Sequence, residues 1–356
     1  MDLNGMHAMK PLMLLAQSGL NTSESMFDPA SPGAESIRNL ALLVLAITGF
    51  IFILVEGILF YAIVRFRRPR NAPGPHNAEE GKEPPQVYGS KPIEIAWTAA
   101  PALIVFVLVM VTTRTLWEVN PTPPQPRPGD QALFVTVVGH QWWWEYRYDH
   151  YDGKKVGFTT ANELRIPVGA NGVARPVYLT LQSADVAHSY GVPRLAGKTD
   201  LIPGRTNHMW FQTDQPGLFL GQCAEFCGTQ HANMLIRVIA EPAADFERWL
   251  ANERTEQRPK AGETEAVKRG RKVFLGQSCV NCHRVAGTSA QGTAAPDLTH
   301  LMSRQTLLTG MVSNTPENLR RWITDPQKIK PGCLMPAFGL SGRDRDAIVD
   351  YLVTLR

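Results

Sequence analysis

This chain is short of charge and short of cysteine. Only 19% of its 356 residues are charged, and the formal net charge is +4. An excess so small and so dispersed argues against a nucleic-acid-binding surface. Five cysteines are an odd number, and four of them sit in two tight pairs. That is the spacing of metal and cofactor attachment rather than of a disulfide framework. No internal repeat is evident. Charge is scarcest between Leu40 and Val64, a 25-residue apolar run whose single charge is Glu56. At about 1.5 Å rise per residue, such a run crosses a hydrocarbon core of roughly 30 Å.

Ile95–Thr113 is a second apolar run, interrupted by Pro101. Proline is tolerated in a membrane helix where neighbours satisfy the freed carbonyl. The two runs predict a transmembrane hairpin, with helices over 38–66 and 92–118. The connecting loop, 67–91, and its margins carry Arg65, Arg67, Arg68, Arg70, Lys82 and Lys91, whereas only Lys10 and Arg38 precede the first helix. The positive-inside rule therefore makes the loop cytoplasmic and puts everything after residue 118 outside. Within 1–37, Lys10 followed by Pro11–Ala16 has the order of a signal peptide but lacks a clear cleavage site, so cleavage stays open. Glu56 in mid-membrane is read either as functional or as paired against a partner subunit.

Residues 119–129 hold five prolines and predict a stiff, extended linker. Beyond it, residues 130–241 alternate short apolar runs with turn residues. Strands are expected over Leu133–Val138, Trp142–Tyr148, Pro176–Leu181, His208–Gln212 and Met234–Ala240, giving an all-β sandwich or barrel. Side chains alternate faces along a strand, so Trp142, Trp143 and Trp144 are not expected all to face inward. At least one of them should be exposed or buried against another subunit.

The segment Gly221–Met234 concentrates Cys223, Cys227, His231 and Met234 within twelve residues, and His188 lies upstream in Asp185–Tyr190. Thiolate, imidazole and thioether together suit copper or zinc, not magnesium or calcium. A disulfide between the two cysteines, a structural zinc site and a copper-chaperone site are the competing readings. Neither zinc nor a chaperone explains Met234.

This segment, with Lys198–Arg205, resembles the dinuclear copper (CuA) loop of the cytochrome c oxidase subunit II family. The resemblance implies a cupredoxin fold. It implies bridging by Cys223 and Cys227, capping by His188 and His231, a weak ligand in Met234 and another in the Glu225 carbonyl. It also implies magnesium at the Glu225 carboxylate and electron input through Trp142. The aromatic stretch differs from the family pattern at Trp143, where the family has Tyr. Glu94, in Pro92–Thr98, is similar to the family's glutamate at the mouth of a proton-uptake pathway. Its other reading is a carboxylate favoured by the helix macrodipole.

After a charged and polar stretch, 242–265, read as an interdomain linker with one short helical pattern around Phe246, Trp249 and Leu250, comes Cys279-Val280-Asn281-Cys282-His283. Cys-x-x-Cys-His attaches haem c through two thioethers, with the histidine as axial ligand. An amphipathic pattern through Val267, Gly270, Val273 and Phe274 precedes it. A helix is expected over Arg343–Leu355, capped by Ser341 with Asp344 three residues on. Residues 266–356 resemble an all-α class I cytochrome c domain. That resemblance makes Met335 the sixth ligand, with His300 as rival, and gives Pro296-Asp297-Leu298 as the wall of the haem edge. Cys333 is the odd thiol and reads as a small buried hydrophobe.

Together these parts resemble subunit II of a caa-type haem-copper oxidase. The fold class is multidomain: a transmembrane α-helical hairpin, an all-β cupredoxin and an all-α cytochrome c. The resemblance implies an electron-input subunit in a bacterial inner membrane, partnered by oxidase subunits I and III and a cytochrome-type donor, in a complex that reduces oxygen and translocates protons. Oxygen chemistry is not expected in this chain, which has no second haem motif and no open metal position. A CuA/haem c subunit of a nitric oxide reductase and a membrane-tethered copper chaperone are the alternatives. Residues 266–356 carry thirteen Lys/Arg against six Asp/Glu, while residues 130–241 are near neutral. Docking of the haem domain on the copper domain is accordingly expected to rest on weak charge complementarity, aided by tethering.

Overall fold

The computed structural model describes residues 24–67, 88–119, 126 and 130–356. Residues 1–23, which include the possible signal peptide, most of the loop expected to be cytoplasmic and most of the expected proline-rich linker lie outside these residues. Two compact units result, one comprising Ser36–Val119 and the other the remaining described residues.

The helical unit is formed by α1 (Pro32–Arg65) and α2 (Lys91–Glu118), both long and apolar enough to cross a membrane. Helix α1 starts six residues before the expected boundary. Pro32 suits a first helical position, and the Ser31 hydroxyl accepts a hydrogen bond from Ala34 N at 3.1 Å. Pro101 lies inside α2 without ending it.

In the second unit, ten strands form two five-stranded sheets. They are β1 (Leu133–His140), β2 (Trp143–Tyr151), β3 (Lys154–Ala161), β4 (Glu163–Pro167), β5 (Val177–Ser183), β6 (His188–Gly191), β7 (Lys198–Leu201), β8 (Asn207–Phe211), β9 (Gly217–Cys223) and β10 (Leu235–Glu241). The sheet orders are β3-β2-β1-β5-β8 and β4-β10-β9-β6-β7. Along β1 the alternation of Leu133, Val135 and Val137 with Phe134 and Thr136 buries one face, the period-two pattern of a packed strand. Together with Leu164, Ile166, Leu179, Leu181, Phe219 and Val238 these residues form one continuous core. Each fully buried aliphatic side chain contributes roughly 1.5–3 kcal/mol.

All three tryptophans are buried, against expectation. The alternation argument does not apply to Trp142, because β2 begins at Trp143. Trp144 enters the core, Trp143 stacks on His140 at 4.1 Å between centroids, and Trp142 is covered from beyond the sandwich.

The stretch read as a linker contains α3 (Ala243–Glu253), whose Phe246 is fully buried. Phe246 meets Tyr151 at 5.2 Å, and Trp249 meets Tyr148 at 5.2 Å and Phe158 at 5.6 Å. An aromatic cluster thereby makes α3 part of the sandwich.

A second hydrophobic core belongs to the C-terminal domain. Its elements are α4 (Glu265–Gly276), α5 (Cys279–Cys282), the hairpin β11 (Thr306–Leu307) and β12 (Val312–Ser313), α6 (Pro316–Thr324), α7 (Pro326–Ile329) and α8 (Gly342–Leu352). Thr264 and Ser341 cap α4 and α8. These two helices cross where Gly270 meets the Ala347 carbonyl, and a Cβ at residue 270 would lie 1.8 Å from that oxygen. Glycine is required there by contact, not by backbone conformation.

Candidate functional site

Neighbouring strands bring the soft donors together. Tyr190 on β6 pairs with Cys223 on β9, so His188, two residues back on the same strand, sits beside the end of β9. The chain then loops through Glu225–Met234 and returns in β10, where Leu235 pairs with Gln222. Cys223 Sγ lies 3.9 Å from His188 Nδ1 and 3.8 Å from Cys227 Sγ. Cys227 Sγ lies 3.6 Å from His231 Nδ1 and 3.8 Å from Met234 Sδ. The Glu225 carbonyl is 3.2 Å from Cys223 Sγ. All six expected donors therefore converge, and His188, Cys223, Cys227 and Met234 are buried.

The surroundings aim the ligands. Asp185 Oδ1 accepts from His188 Nε2 at 2.9 Å, which turns Nδ1 toward the thiols. Asp185 Oδ2 accepts from Gln141 N at 2.7 Å, tying this carboxylate to the aromatic stretch. Gly139 leaves room for the imidazole, since a Cβ there would sit 2.8 Å from His188 Cδ2.

The donor set fits copper. Burial raises the Cys223 thiol, but its hydrogen bonding with His188 and with the backbone at Ser189 and Glu225 outweighs it and holds the thiol below its ordinary value. Burial and the neighbouring Cys223 push Cys227 up to about 12. Two thiols this close do not both ionise unless cations share them, and thiolate is the form that binds metal.

In the C-terminal domain, His283 Nδ1 is 2.8 Å from the Pro296 carbonyl, so Nδ1 carries the proton and Nε2 keeps the lone pair that could bind a metal. Burial holds His283 below the ordinary imidazole value. Cys279 and Cys282 stand at the two ends of α5. Met335 is half-buried, and its carbonyl accepts from Gln327 Nε2 at 3.1 Å. His300 is engaged elsewhere. Its Nε2 donates to the Thr255 carbonyl at 3.0 Å, and its Nδ1 faces Gln257 Nε2 at 3.3 Å. Cys333 is half-buried beside Gln327, and burial raises its thiol.

The C-terminal domain is fastened to the β-sandwich by buried polar contacts. Glu163, 3% exposed, accepts from Gln305 N at 2.9 Å and from Thr306 N at 2.8 Å and Oγ1 at 2.6 Å. Arg237 Nη2 donates to Gln305 Oε1 at 2.9 Å, and Arg165 Nη2 to the Ser303 carbonyl at 3.0 Å. Gln230 Nε2 donates to the Pro331 carbonyl at 2.6 Å. Trp142 belongs to both sides. Its indole donates to the Cys227 carbonyl at 2.9 Å, while its own carbonyl accepts from Thr309 Oγ1 at 3.0 Å and Lys330 Nζ at 2.8 Å. Weak surface complementarity is thus replaced by specific, desolvated bonds. Glu163, Gln230, Thr309 and Lys330 carry no motif that marks them in the sequence.

Glu94 falls in the first turn of α2. Glu225 is exposed, as is Phe226, 75% of whose surface is open although its ring packs on His231 at 5.8 Å.

Residues 17–114 match the family described as the transmembrane domain of cytochrome c oxidase subunit II. Residues 133–241 match the periplasmic domain of that subunit, and residues 267–356 match cytochrome c. Cytochrome c oxidase subunit 2 of Alkalihalophilus pseudofirmus is 37% identical over 331 residues, 92% of this chain and 90% of that protein. The Bacillus subtilis subunit 2 is 31% identical over 345 residues, 93% and 92% of the respective chains. A crystal structure of the periplasmic domain of subunit II from Bradyrhizobium japonicum is 29% identical, with a TM-score of 0.31, over 36% of this chain and 95% of that one. The chain belongs to the cytochrome c oxidase subunit II family, in the form that carries a C-terminal cytochrome c domain, and is the electron-input subunit of a haem-copper oxidase.

Proposed function

We propose that electrons pass from a cytochrome-type donor to a haem c held by residues 279–335, then to two coppers held by residues 188–234, then to oxidase subunit I. When bound, haem c and the copper pair each exchange one electron without changing their ligands. Cys279 and Cys282 would anchor the haem, and His283 and Met335 would hold its iron, a pair that raises the potential. Cys223, Cys227, His188 and His231 would hold the two coppers, with Met234 and the Glu225 carbonyl as weaker donors. Asp185 fixes the His188 ring, and burial excludes solvent, so little has to move on a change of charge.

The observation that carries this reading is the double attachment of Trp142. One residue joins the copper loop through its indole and the haem domain through its carbonyl. A face covered in this way is closed to an outside donor, which must deliver to the haem domain instead.

Exposed Phe226 and Glu225 beside the copper loop suit the face toward subunit I, with magnesium at the Glu225 carboxylate. Glu94 suits proton uptake from the cytoplasmic side, and the chain is assigned to a bacterial inner membrane with both redox domains outside. The test is copper stoichiometry and electron paramagnetic resonance of the purified chain, followed by turnover of the intact complex. Two coppers per chain with a mixed-valence hyperfine pattern, and fast oxygen consumption, support the assignment. A single, loosely held copper would return the chain to the chaperone reading, and nitric oxide turnover with little oxygen uptake to the reductase.

A further inference from the structure

Lys330 is buried, 3% exposed, in a segment whose sequence, Lys-Pro-Gly, reads as a surface turn. An ammonium has three N–H donors. Its acceptors here are the Trp142 carbonyl at 2.8 Å, Thr309 Oγ1 at 3.2 Å and the Asn233 carbonyl at 3.4 Å. Among the described residues none of these partners is a carboxylate. A buried ammonium without a counter-ion is costly, and an apolar side chain of equal length would pack there more cheaply. Burial accordingly holds the Lys330 ammonium well below its ordinary value, to about 8.

The position of this charge explains the expense. Asn233 directly precedes Met234 in the copper loop, and Trp142 is bonded to the Cys227 carbonyl. On the haem side, Lys330 opens the segment that ends at Met335, and Pro331 is held by Gln230. The ammonium therefore sits where the two ligand loops meet, bonded to the copper domain through two carbonyls and to its own domain through Thr309.

Building on the electron route proposed above, we propose that Lys330 is a positioning residue for electron passage between the haem domain and the copper centre. It clamps the Met335 loop to Trp142 and Asn233, and its desolvated positive charge favours the electron on the copper side. In each passage one electron is given up by the ferrous haem and one is taken by the oxidised copper pair; no bond forms or breaks and no proton moves. A fixed positive charge in a low-dielectric interior stabilises added negative charge nearby far more than it would in water.

The test uses Lys330→Met, which removes the charge but keeps the length, and Lys330→Arg, which keeps the charge, both in the intact complex. Retained haem and mixed-valence copper spectra establish that each variant is loaded. In Lys330→Met the copper midpoint potential is expected to fall below wild type. The haem-to-copper rate after flash reduction is expected to fall at least about tenfold, since misplacement of reacting partners by about 1 Å costs up to about 10²-fold. Lys330→Arg should hold the potential near wild type while the rate falls less. In the copper-free chain, the amides of 229–234 and 306–310 should exchange faster in Lys330→Met. Wild-type potential and rate in a fully loaded Lys330→Met variant would overturn the proposal. If Lys330→Met does not load, Lys330→Arg decides: a copper potential in the intact complex well below wild type despite the retained charge would overturn it. Absence of a two-copper signal in the wild-type chain would remove the electron route as well, which separates the two failures.

Discussion

The copper end of the sandwich and the haem end of the C-terminal domain solve the same problem differently. Sheet register fixes His188 on β6 and Cys223 on β9, Cys227, His231 and Met234 sit in the loop between β9 and β10, and most of these proposed copper ligands are buried. The residues proposed to hold the haem lie on a one-turn helix, at its C-terminal cap and in a loop, with Cys282 exposed and Met335 half-buried. Strands anchor the first site, whereas short helices and loops present the second. The two should therefore respond differently to loss of their groups.

The sharpest break in this comparison is expected from two single substitutions. Cys227→Ser should abolish the mixed-valence copper signal and leave the haem spectrum intact, because the sandwich does not depend on that thiol. Cys282→Ser, by contrast, should lower the melting temperature of the C-terminal domain as well as its haem content, with copper loading retained. Differential scanning calorimetry with metal analysis distinguishes the cases. Simultaneous loss of both centres in either variant would contradict independent folding of the two cores.

A smaller effect is expected where the scaffold is disturbed without loss of a ligand. Asp185→Asn weakens the bond that orients His188, and Gly139→Ala pushes a methyl group into the ring. Outer-shell changes of this kind typically cost about 10- to 100-fold in metal affinity. Copper retention against a chelator measures the loss, and unchanged retention in both variants would mean that the ring is held by the metal alone.

Both ends were legible in the sequence because their chemistry is local. Cys223, Cys227, His231 and Met234 fall in one loop, and Cys279, Cys282 and His283 in one turn. The apolar runs were equally plain, and five of the ten strands were read from alternation. Short strands such as β6 and β7 escaped because four residues carry too little periodicity. Helix α3 shows in the sequence only as a short helical pattern inside a polar stretch, because its apolar face is just Phe246, Trp249 and Leu250 and the aromatic partners come from β2 and β3. The burial of all three tryptophans depended on where β2 begins and on cover from a domain that the local pattern does not mention. Lys330 is the extreme case, since its partner Trp142 lies 188 residues away.

The junction between the two domains should be more sensitive to lost bonds than to salt. Glu163→Ala leaves the three donors of Gln305 and Thr306 without their acceptor, and Arg237, whose Nε lies 3.6 Å from the carboxylate, without its counter-ion. Breaking a buried pair of this kind costs about 3–5 kcal/mol. Denaturant titration should show that cost as earlier separation of the haem domain, while an isolated loss well under 1 kcal/mol would mean that water replaces the carboxylate. Raising the ionic strength screens exposed charges, over a Debye length of about 10 Å at 0.1 M, but reaches desolvated bonds much less. Only a minor change in the haem-to-copper rate is therefore expected with salt.

The most direct measurement is flash reduction of the haem in the intact complex, with electron arrival followed by the near-infrared absorbance of the copper pair. A rate that is fast, independent of protein concentration and nearly independent of salt is the expected result for two centres joined through Trp142 and Lys330 in one chain. A rate that rises with protein concentration or collapses at high salt would contradict it, because the haem domain would then have to find the copper domain anew for each electron.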